Sequence, residues 1–394
     1  MSSSSIPSTV DILQALIAFD TTSHHPNRAL INYVDALLKD HGIDSTIIAD
    51  AASDKANLYC TVGPENTAGV MLSGHTDVVP VDGQRWSVPA FKLTKKNNKY
   101  YGRGTTDMKG FVACAIHAAL TANTKSLTTP LHLGFSYDEE IGCVGVRSLL
   151  DTLNNSPVTP AMCIVGEPTS LKVATKHKGK SSVVARCIGK EGHSALAPNA
   201  LNAIHLATDL VNVLREQQEF IRQRYRGSDP LSEVPYTTVH VGRIIADQAL
   251  NIVPNLCTVN FEIRHTAQDN PLEILNNIKA AANDIVVKAQ KQADTAAIEF
   301  DVWNAYPGLD TPEQTPVVEF VKSLVGANDT SYVAFGTEGG LFSAHCGIPT
   351  VVCGPGSMQQ GHKPDEYIEL SQLQQCDDML DKLVNFLAVN PLPA

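Results

Sequence analysis

The sequence predicts an α/β protein in which a smaller α+β domain is inserted into a larger domain built on a helix-flanked sheet. Three observations predict this. Helical patterns alternate with short apolar strands over residues 1–178, a β-α-β-β-α-β order follows over residues 179–303, and helix and strand patterns resume over residues 304–394. Alternating helices and apolar strands are typical of a sheet covered on both faces. The interrupting order is typical of a ferredoxin-like sandwich.

The elements of the larger domain follow from capping residues, glycines and apolar runs. Ser8 or Thr9 is suited to cap a first helix, and Gly42 is suited to end a second one. Short apolar runs bounded by glycine or proline predict strands, and a longer one predicts a buried helix. In chain order these segments read NLYCTVG, AGVMLSG, MKGFVACAIHAALTAN, LHLGFSY and MCIVGEP, and after the insertion VVEFVKSLV, TVVCGPG and QLQQCDDMLDKLVNFL.

The inserted domain differs from the larger one in its residue pattern, because its predicted strands alternate polar and apolar residues. Such alternation is typical of strands with one buried face. The predicted strands are KSSVVARCIG, TTVHVGRI, CTVNFEIRH and IEFDVWN, and the two predicted amphipathic helices are NAIHLATDLVNVLREQQEFIRQRY and PLEILNNIKAAANDIVVKAQ.

Charge and composition narrow the function classes. The net charge is −11 and no basic block is present, which argues against nucleic acid or an anionic membrane as a partner. The first residues lack a basic region followed by an apolar core, and the apolar runs are short. We therefore expect no signal peptide, no membrane span and a cytoplasmic location. Nine scattered cysteines without a CxxC pair predict free buried thiols rather than disulfides or a thiolate zinc site.

The segment YDEEIG places three carboxylates directly after the apolar run LHLGFS. An acidic surface loop is the ordinary explanation of such a segment. Three like charges at the end of a buried strand repel one another, however, and a bound cation relieves that repulsion. Glu139 and Glu140 are expected on the loop at the carboxyl end of the strand, where open α/β sheets bind ligands.

Four other polar residues also come next to apolar runs in the predicted sheet domain. Taken singly, each is explained as a satisfied surface histidine, a capped turn or a carboxylate at a helix start. Taken together, two histidines and three carboxylates suit two divalent ions with one carboxylate between them. Glu139, beside a ligand, is then suited to act as a general base. The five predicted ligands are His75, Asp107, Glu140, Glu167 and His362.

These segments resemble the M20 family of di-zinc amidohydrolases and peptidases. The matching segments occur in the family's order and span nearly the whole chain: SGHTDVVP, GRGTTDMKGF, DEEIG, GEPTS, GHSALAP and GPGSMQQGHKPDEYI. The resemblance implies a zinc-peptidase-like catalytic domain with a mixed central sheet, interrupted by a dimerisation or lid domain. It also implies two Zn²⁺ ions and a homodimer. Histidine and carboxylate donors also accept Co²⁺ or Mn²⁺ in place of zinc.

The resemblance assigns a role to each ligand. It implies that His75 and Glu167 bind one zinc, that His362 and Glu140 bind the other, and that Asp107 bridges them. Three further roles come from the same source: Glu139 is the general base that activates a metal-bridging water, Asp77 orients His75, and His193 reaches the active site of a neighbouring subunit to stabilise the oxyanion.

Within the family, the segments favour the branch that hydrolyses the acetyl amide of N2-acetyl-L-ornithine in arginine biosynthesis. For this substrate, Arg264 resembles the arginine that binds its carboxylate; we expect Asn251 to be a further contact and Glu338 in GTEGG to face its ammonium. The alternatives are succinyl-diaminopimelate desuccinylase or another N-acyl-amino-acid amidohydrolase, which share the ligands and differ in the pocket. A metal-bound scaffold without catalysis is a further alternative, against which the presence of Glu139 and His193 argues.

Overall fold

The computed structural model describes residues 5–225 and 234–392. Within them the chain forms nine α-helices. Ser8 caps the first by accepting a hydrogen bond from the Asp11 amide, and Gly42, with φ +78°, follows the second, as predicted. In chain order the helices are α1 Thr9–Ile17, α2 Arg28–Asp40, α3 Lys109–Ala122, α4 Val146–Asn154, α5 Ala203–Arg224, α6 Pro271–Ala289, α7 Pro316–Val325, α8 Gly339–Cys346 and α9 Leu370–Val389.

The described residues also form eighteen strands. They are β1 Ser45–Ala49, β2 Ala56–Val62, β3 Val70–His75, β4 Thr94–Lys96, β5 Lys99–Tyr101, β6 Leu131–Ser136, β7 Met162–Pro168, β8 Ala174–His177, β9 Gly179–Ile188, β10 Gly192–His193, β11 Thr238–Ile245, β12 Ile252–Val253, β13 Leu256–His265, β14 Ala297–Tyr306, β15 Leu309–Asp310, β16 Ser331–Val333, β17 Thr350–Gly354 and β18 Tyr367–Glu369.

The chain divides into two compact units. The first comprises Met1–His177 and Leu309–Ala394, and the second comprises Lys178–Gly308. The last strand of the second unit, β14, ends at Tyr306. The chain returns to the first unit at Leu309. The first unit carries all the predicted metal ligands, and the second carries His193, Asn251 and Arg264.

The first unit is built on a mixed nine-stranded sheet. Its strand order is β1-β2-β6-β3-β7-β17-β8-β15, with β16 beside β8. The neighbours β6, β3, β7 and β17 are parallel to one another. The pairs β1–β2, β2–β6, β17–β8 and β8–β15 are antiparallel, and β16 is parallel to β8. The helix α3 is almost wholly buried and packs against α1, α9 and the central strands. Its apolar residues on all sides explain this position.

The second unit contains a four-stranded antiparallel sheet in the order β11-β13-β9-β14. Apolar residues of these strands form one core with α5 and α6. The elements follow one another as β9, α5, β11, β13, α6 and β14. The predicted fold class, a helix-flanked mixed sheet with a ferredoxin-like α+β insertion, is confirmed.

Two further observations bear on the expectations from composition. All nine cysteines are free, and all but Cys346 are buried. Over residues 5–225 and 234–392, no helix has both the length and the apolar character needed to cross a membrane.

Candidate metal centre

Five predicted ligands lie along one edge of the nine-stranded sheet. The strands β6, β3, β7 and β17 are parallel neighbours, so their carboxyl ends lie at the same edge, where open α/β sheets bind ligands. His75 is the last residue of β3, and Glu167 lies at the end of β7. Glu140 follows β6, His362 follows β17, and Asp107 lies just before α3. The alternation of strands and helices therefore brings together residues that are far apart in the sequence.

Asp107 lies between the two histidines. Its Oδ1 is 3.0 Å from Nε2 of His75, and its Oδ2 is 3.1 Å from Nε2 of His362. A glutamate accompanies each imidazole: Glu167 Oε1 is 3.6 Å from Nε2 of His75, and Glu140 Oε2 is 3.1 Å from Nε2 of His362. The cluster thus has two halves that share one carboxylate.

The cluster is buried except at one side. His75, Asp107 and Glu167 are buried, whereas the His362 side chain is 50% exposed. The Oε1 atom of Glu140 is buried and has no hydrogen-bond partner among the described residues. Such an oxygen is costly to bury unless a donor or a cation meets it. Imidazoles and carboxylates without a thiolate suit zinc, cobalt or manganese, so the residues fit a pair of divalent ions.

The same crowding alters pKa values throughout the cluster. Burial, aided by the charge of Asp107, raises the pKa of Glu140 to about 7 and raises the pKa of Glu167 well above its ordinary value. Hydrogen bonds to Asp107 and Glu140 raise the pKa of His362 to about 10. Burial opposes the charge on His75, yet the neighbouring aspartates raise its pKa. The site therefore concentrates negative charge and favours any positive charge placed in it.

Asp77 contacts both His75 and the loop that carries the glutamates. Its main-chain oxygen lies 2.9 Å from Nδ1 of His75, and its Oδ1 lies 3.5 Å from the same nitrogen. Its carboxylate also accepts hydrogen bonds from the amides of Glu139 and Glu140 and from the Ser23 hydroxyl. The sequence suggested the contact with His75 but gave no sign of the contacts with the loop.

Asp138, the first carboxylate of the acidic run, forms an ion pair with a lysine. Nζ of Lys55 lies 2.6 Å and 2.8 Å from its two carboxylate oxygens and donates to the main-chain oxygen of Ser23. The interpretation that metal ions neutralise all three charges of YDEEIG is therefore wrong for Asp138. Lys55 lies 83 positions away in the sequence, and an isolated lysine gives no signal of such a pairing.

Glu139 lies beside His75 and Glu167. One ligand atom from each of these three residues belongs to a group whose atoms all lie within 4.8 Å of one another. Its Oε1 accepts a hydrogen bond of 3.4 Å from the Cys143 thiol, and its carbonyl accepts from the amides of Gly142 and Cys143. The loop thus holds a carboxylate within reach of a molecule bound next to His75. The contact with Cys143 was not anticipated from the sequence.

Glu338 lies at the start of α8, among buried polar groups. Its Oε1 accepts a hydrogen bond of 2.5 Å from the Ser136 hydroxyl, and Ser136 is the residue of β6 that pairs with His75. Burial raises the pKa of the Glu338 carboxyl to about 7. Its carboxylate is therefore hydrogen-bonded to the strand next to His75.

The other three predicted residues lie in the second unit. His193 and Asn251 are exposed and adjacent, because His193 of β10 pairs with Ile252 of β12. Nδ1 of His193 accepts a hydrogen bond from the Ala195 amide. Arg264 is half-buried on β13; it donates to Glu262 at 3.0 Å and to the Tyr306 hydroxyl at 3.3 Å.

Comparison with known proteins adds to this geometry. Residues 71–385 match the family model described as peptidase family M20/M25/M40. The chain is 33% identical to a protein named acetylornithine deacetylase from Pasteurella multocida (strain Pm70), over 96% of this chain and 98% of that one.

Two solved structures share the fold. An M20 family metallo-carboxypeptidase from Sulfolobus solfataricus superposes with a TM-score of 0.77 at 17% identity, covering 98% of this chain and 100% of that one. A dinuclear metal binding peptidase of the same family from Bacillus subtilis has a TM-score of 0.69 at 13% identity, covering 97% and 98%. The resemblance drawn from the motifs is confirmed. The chain belongs to peptidase family M20/M25/M40 and is a metal-dependent amidohydrolase.

Proposed function

We propose that the protein hydrolyses the acetyl amide of N2-acetyl-L-ornithine to L-ornithine and acetate, as a step of arginine biosynthesis, at a centre of two zinc ions. The placement of Asp107 between two imidazoles carries the metal part of this proposal. The substrate part rests on the 33% identity to a protein named acetylornithine deacetylase over nearly the whole length of both chains.

The two halves of the cluster suggest how the ions are held. His75 and Glu167 would hold one ion, His362 and Glu140 the other, and Asp107 both. The supporting observations are the 3.0–3.6 Å separations within the first half and the two 3.1 Å separations within the second. Co²⁺ and Mn²⁺ are accepted by the same donor types. Asp77 would orient His75 through the contact with Nδ1.

Glu139 is the proposed general base. Two divalent ions held by these residues would lower the pKa of a water molecule and polarise the acyl carbonyl. The Glu139 carboxylate takes a proton from the attacking water as the carbon–oxygen bond forms. It then passes the proton to the ornithine nitrogen as the carbon–nitrogen bond breaks, so that the amine leaves neutral. The position of Glu139 beside His75 and Glu167 supports this role.

A second copy of the chain is proposed to complete the site. His193 would donate to the developing oxyanion of the neighbouring subunit, a contribution that typically amounts to about 10²–10³ in turnover. Two observations support an interface here: His193 is exposed, and so are large apolar side chains of its own segment and of the segment paired with it, Leu196, Leu250 and Ile252. Clustered apolar exposure of this kind is typical of a surface that meets another protein.

Substrate recognition is assigned to three residues. Arg264 would bind the substrate carboxylate, because a guanidinium forms two parallel hydrogen bonds to a carboxylate. Asn251, adjacent to His193, is a further proposed contact. Glu338 remains a prediction for the ammonium group.

A substrate panel tests the proposal. The zinc- or cobalt-loaded protein is assayed with N2-acetyl-L-ornithine, N-succinyl-L,L-diaminopimelate and other N-acetyl amino acids, and kcat/KM is compared. We expect the acetylornithine value to exceed the others by about 100-fold or more, as a site built for a polar substrate group discriminates. Preference for the succinyl compound would retain the metal centre and overturn the substrate. Equal, negligible rates on all compounds would overturn the proposed activity.

A further inference from the structure

The peptide amides next to Asp107 are held by a buried glutamate. Oε1 of Glu366 accepts hydrogen bonds from the amides of Thr106, at 2.9 Å, and Asp107, at 3.2 Å. Glu366 is 1% exposed and lies at the end of the loop that carries His362. One carboxylate therefore joins the segment of the central ligand to the segment of an outer ligand.

The second oxygen of Glu366 is paired with a buried arginine. Nη1 of Arg103 lies 2.6 Å from Oε2 of Glu366, and both residues are 1% exposed. Nη2 of the same guanidinium donates to Oε1 of Gln84 at 2.6 Å, and Nη1 also donates to the Lys363 carbonyl at 3.3 Å. Burying an ion pair brings little net stability, so the pair calls for another explanation.

Gln84 completes the connection to the histidine. Its Nε2 donates to the main-chain oxygen of His362 at 2.9 Å. The hydrogen bonds therefore run without a break from the Asp107 amide through Glu366, Arg103 and Gln84 to the His362 carbonyl. Asp107 and His362 are the two residues whose side chains meet at 3.1 Å.

The backbone at His362 needs external support. His362 has φ +61° and Asp365 has φ +55°, a region that costs side-chain-bearing residues free energy. Three hydrogen bonds hold the loop in place. Gln84 donates to the His362 carbonyl, Arg103 donates to the Lys363 carbonyl, and the Ser87 amide donates to the Asp365 carboxylate. The other half of the cluster has a different support, since His75 and Glu167 lie on paired strands of the sheet.

We propose that Arg103, Glu366 and Gln84 are positioning residues for the metal ion on the His362 side, and that they set the separation of His362 from Asp107. This inference rests on the proposed metal centre. Apart from the amide of Asp107, which both halves share, the network contacts only the His362 side of the cluster. Its loss is therefore expected to weaken the ion on that side more than the ion at His75 and Glu167.

The test compares Zn²⁺ affinities of the metal-free protein with those of Gln84→Ala and Glu366→Gln, by competition with a chromophoric chelator. Co²⁺ titrations, followed by visible absorbance, report the coordination of each ion separately. Outer contacts of metal ligands typically contribute about 10–100-fold in affinity. We expect the dissociation constant of one ion to rise by that factor in both variants, that of the other ion to rise less, and the absorbance of one Co²⁺ equivalent to change.

Controls keep the outcome interpretable. Asp377→Asn is a matched control, because this partly buried carboxylate on α9 accepts from the Thr9 hydroxyl at 2.7 Å and lies outside the network. Gln84→Ala removes no buried charge, so it remains informative if Glu366→Gln does not fold. Two unchanged constants in Gln84→Ala, or an equal loss at both sites, would overturn the inference while the wild type still binds two ions. A wild type that binds fewer than two Zn²⁺ ions would overturn the proposed centre itself, and the inference with it.

Discussion

Asp107 presents one carboxylate oxygen to each histidine of the cluster, at 3.0 Å from Nε2 of His75 and 3.1 Å from Nε2 of His362. A side chain so placed is suited to serve both halves of the proposed centre. An amide in its place keeps the shape but loses the charge and one acceptor oxygen.

We therefore predict that Asp107→Asn lowers the affinity for both metal ions, by at least about 100-fold, the upper range seen for outer contacts of ligands. Metal content after dialysis, measured by mass spectrometry, checks this. Asp35→Asn, a carboxylate that accepts from Ser45, is the control. Retention of two ions by Asp107→Asn would exclude a bridging role.

Arg264 is predicted to act through its guanidinium on the substrate. Replacing it by lysine keeps the charge but removes the two-pronged hydrogen bonding. A charged hydrogen bond contributes about 1.5–3 kcal/mol, so KM for N2-acetyl-L-ornithine is expected to rise about 10–100-fold with kcat little changed.

Glu262→Gln is the control for Arg264→Lys, because Arg264 donates to Glu262 at 3.0 Å. If Arg264 serves the substrate, the Glu262 variant keeps a KM near that of the wild type. An equal rise in both variants would assign Arg264 to the ion pair instead.

Lys55 is predicted to be essential for stability because it neutralises Asp138. The two side chains are 13% and 11% exposed, so removal of one partner leaves the charge of the other unpaired and poorly hydrated. Lys55→Met is expected to lower the free energy of unfolding by about 3 kcal/mol or more. The double variant Lys55→Met/Asp138→Asn should recover most of this loss. Urea denaturation checks both, and equal stabilities of the two variants would contradict the account.

His132 is predicted to make stability depend on pH. It is 3% exposed, Nδ1 lies 2.9 Å from the Tyr59 hydroxyl, and burial lowers its pKa from 6.5 to about 4. Between these values the unfolded chain binds a proton that the folded protein does not. Folding is therefore fully favoured above pH 6.5, and the free energy of unfolding falls by about 3 kcal/mol as the pH drops to about 4.

His132→Asn removes the contribution of this histidine to the pH dependence of stability and leaves the other titrating groups in place. The free energy of unfolding of the wild type minus that of the variant is expected to fall by about 3 kcal/mol as the pH drops from 6.5 to about 4. The matched control is the same substitution at an exposed histidine, His24→Asn. A difference that does not vary with pH would show that His132 keeps its proton affinity in the fold.

The sequence predicted those parts of the fold that depend on local pattern. The apolar runs identified β3, β6 and β7, and parallel pairing then brings His75, Glu140 and Glu167 to one edge. Short strands such as β8 and β15, of four and two residues, carry too little periodicity to be recognised. The residues of the cluster could be proposed together because each lies next to an apolar run.

The supporting residues were not found, because their partners lie far away along the chain. Arg103 and Glu366 are 263 positions apart, and Lys55 and Asp138 are 83 apart. A single lysine or arginine has no local pattern that marks it as buried and paired. Only the tertiary structure shows that the first carboxylate of YDEEIG, that of Asp138, is neutralised by a side chain.

Glu139 provides the most direct test of the proposed chemistry. Glu139→Gln keeps the size of the side chain and cannot accept the proton. Both proteins are loaded with two equivalents of Zn²⁺, the bound metal is verified, and kcat for N2-acetyl-L-ornithine is measured, with Glu319→Gln on α7 as control. The proposed role of Glu139 as general base predicts that kcat falls about 10²–10⁴-fold in Glu139→Gln, with both ions retained. A variant that holds both ions and turns over at the wild-type rate would contradict it.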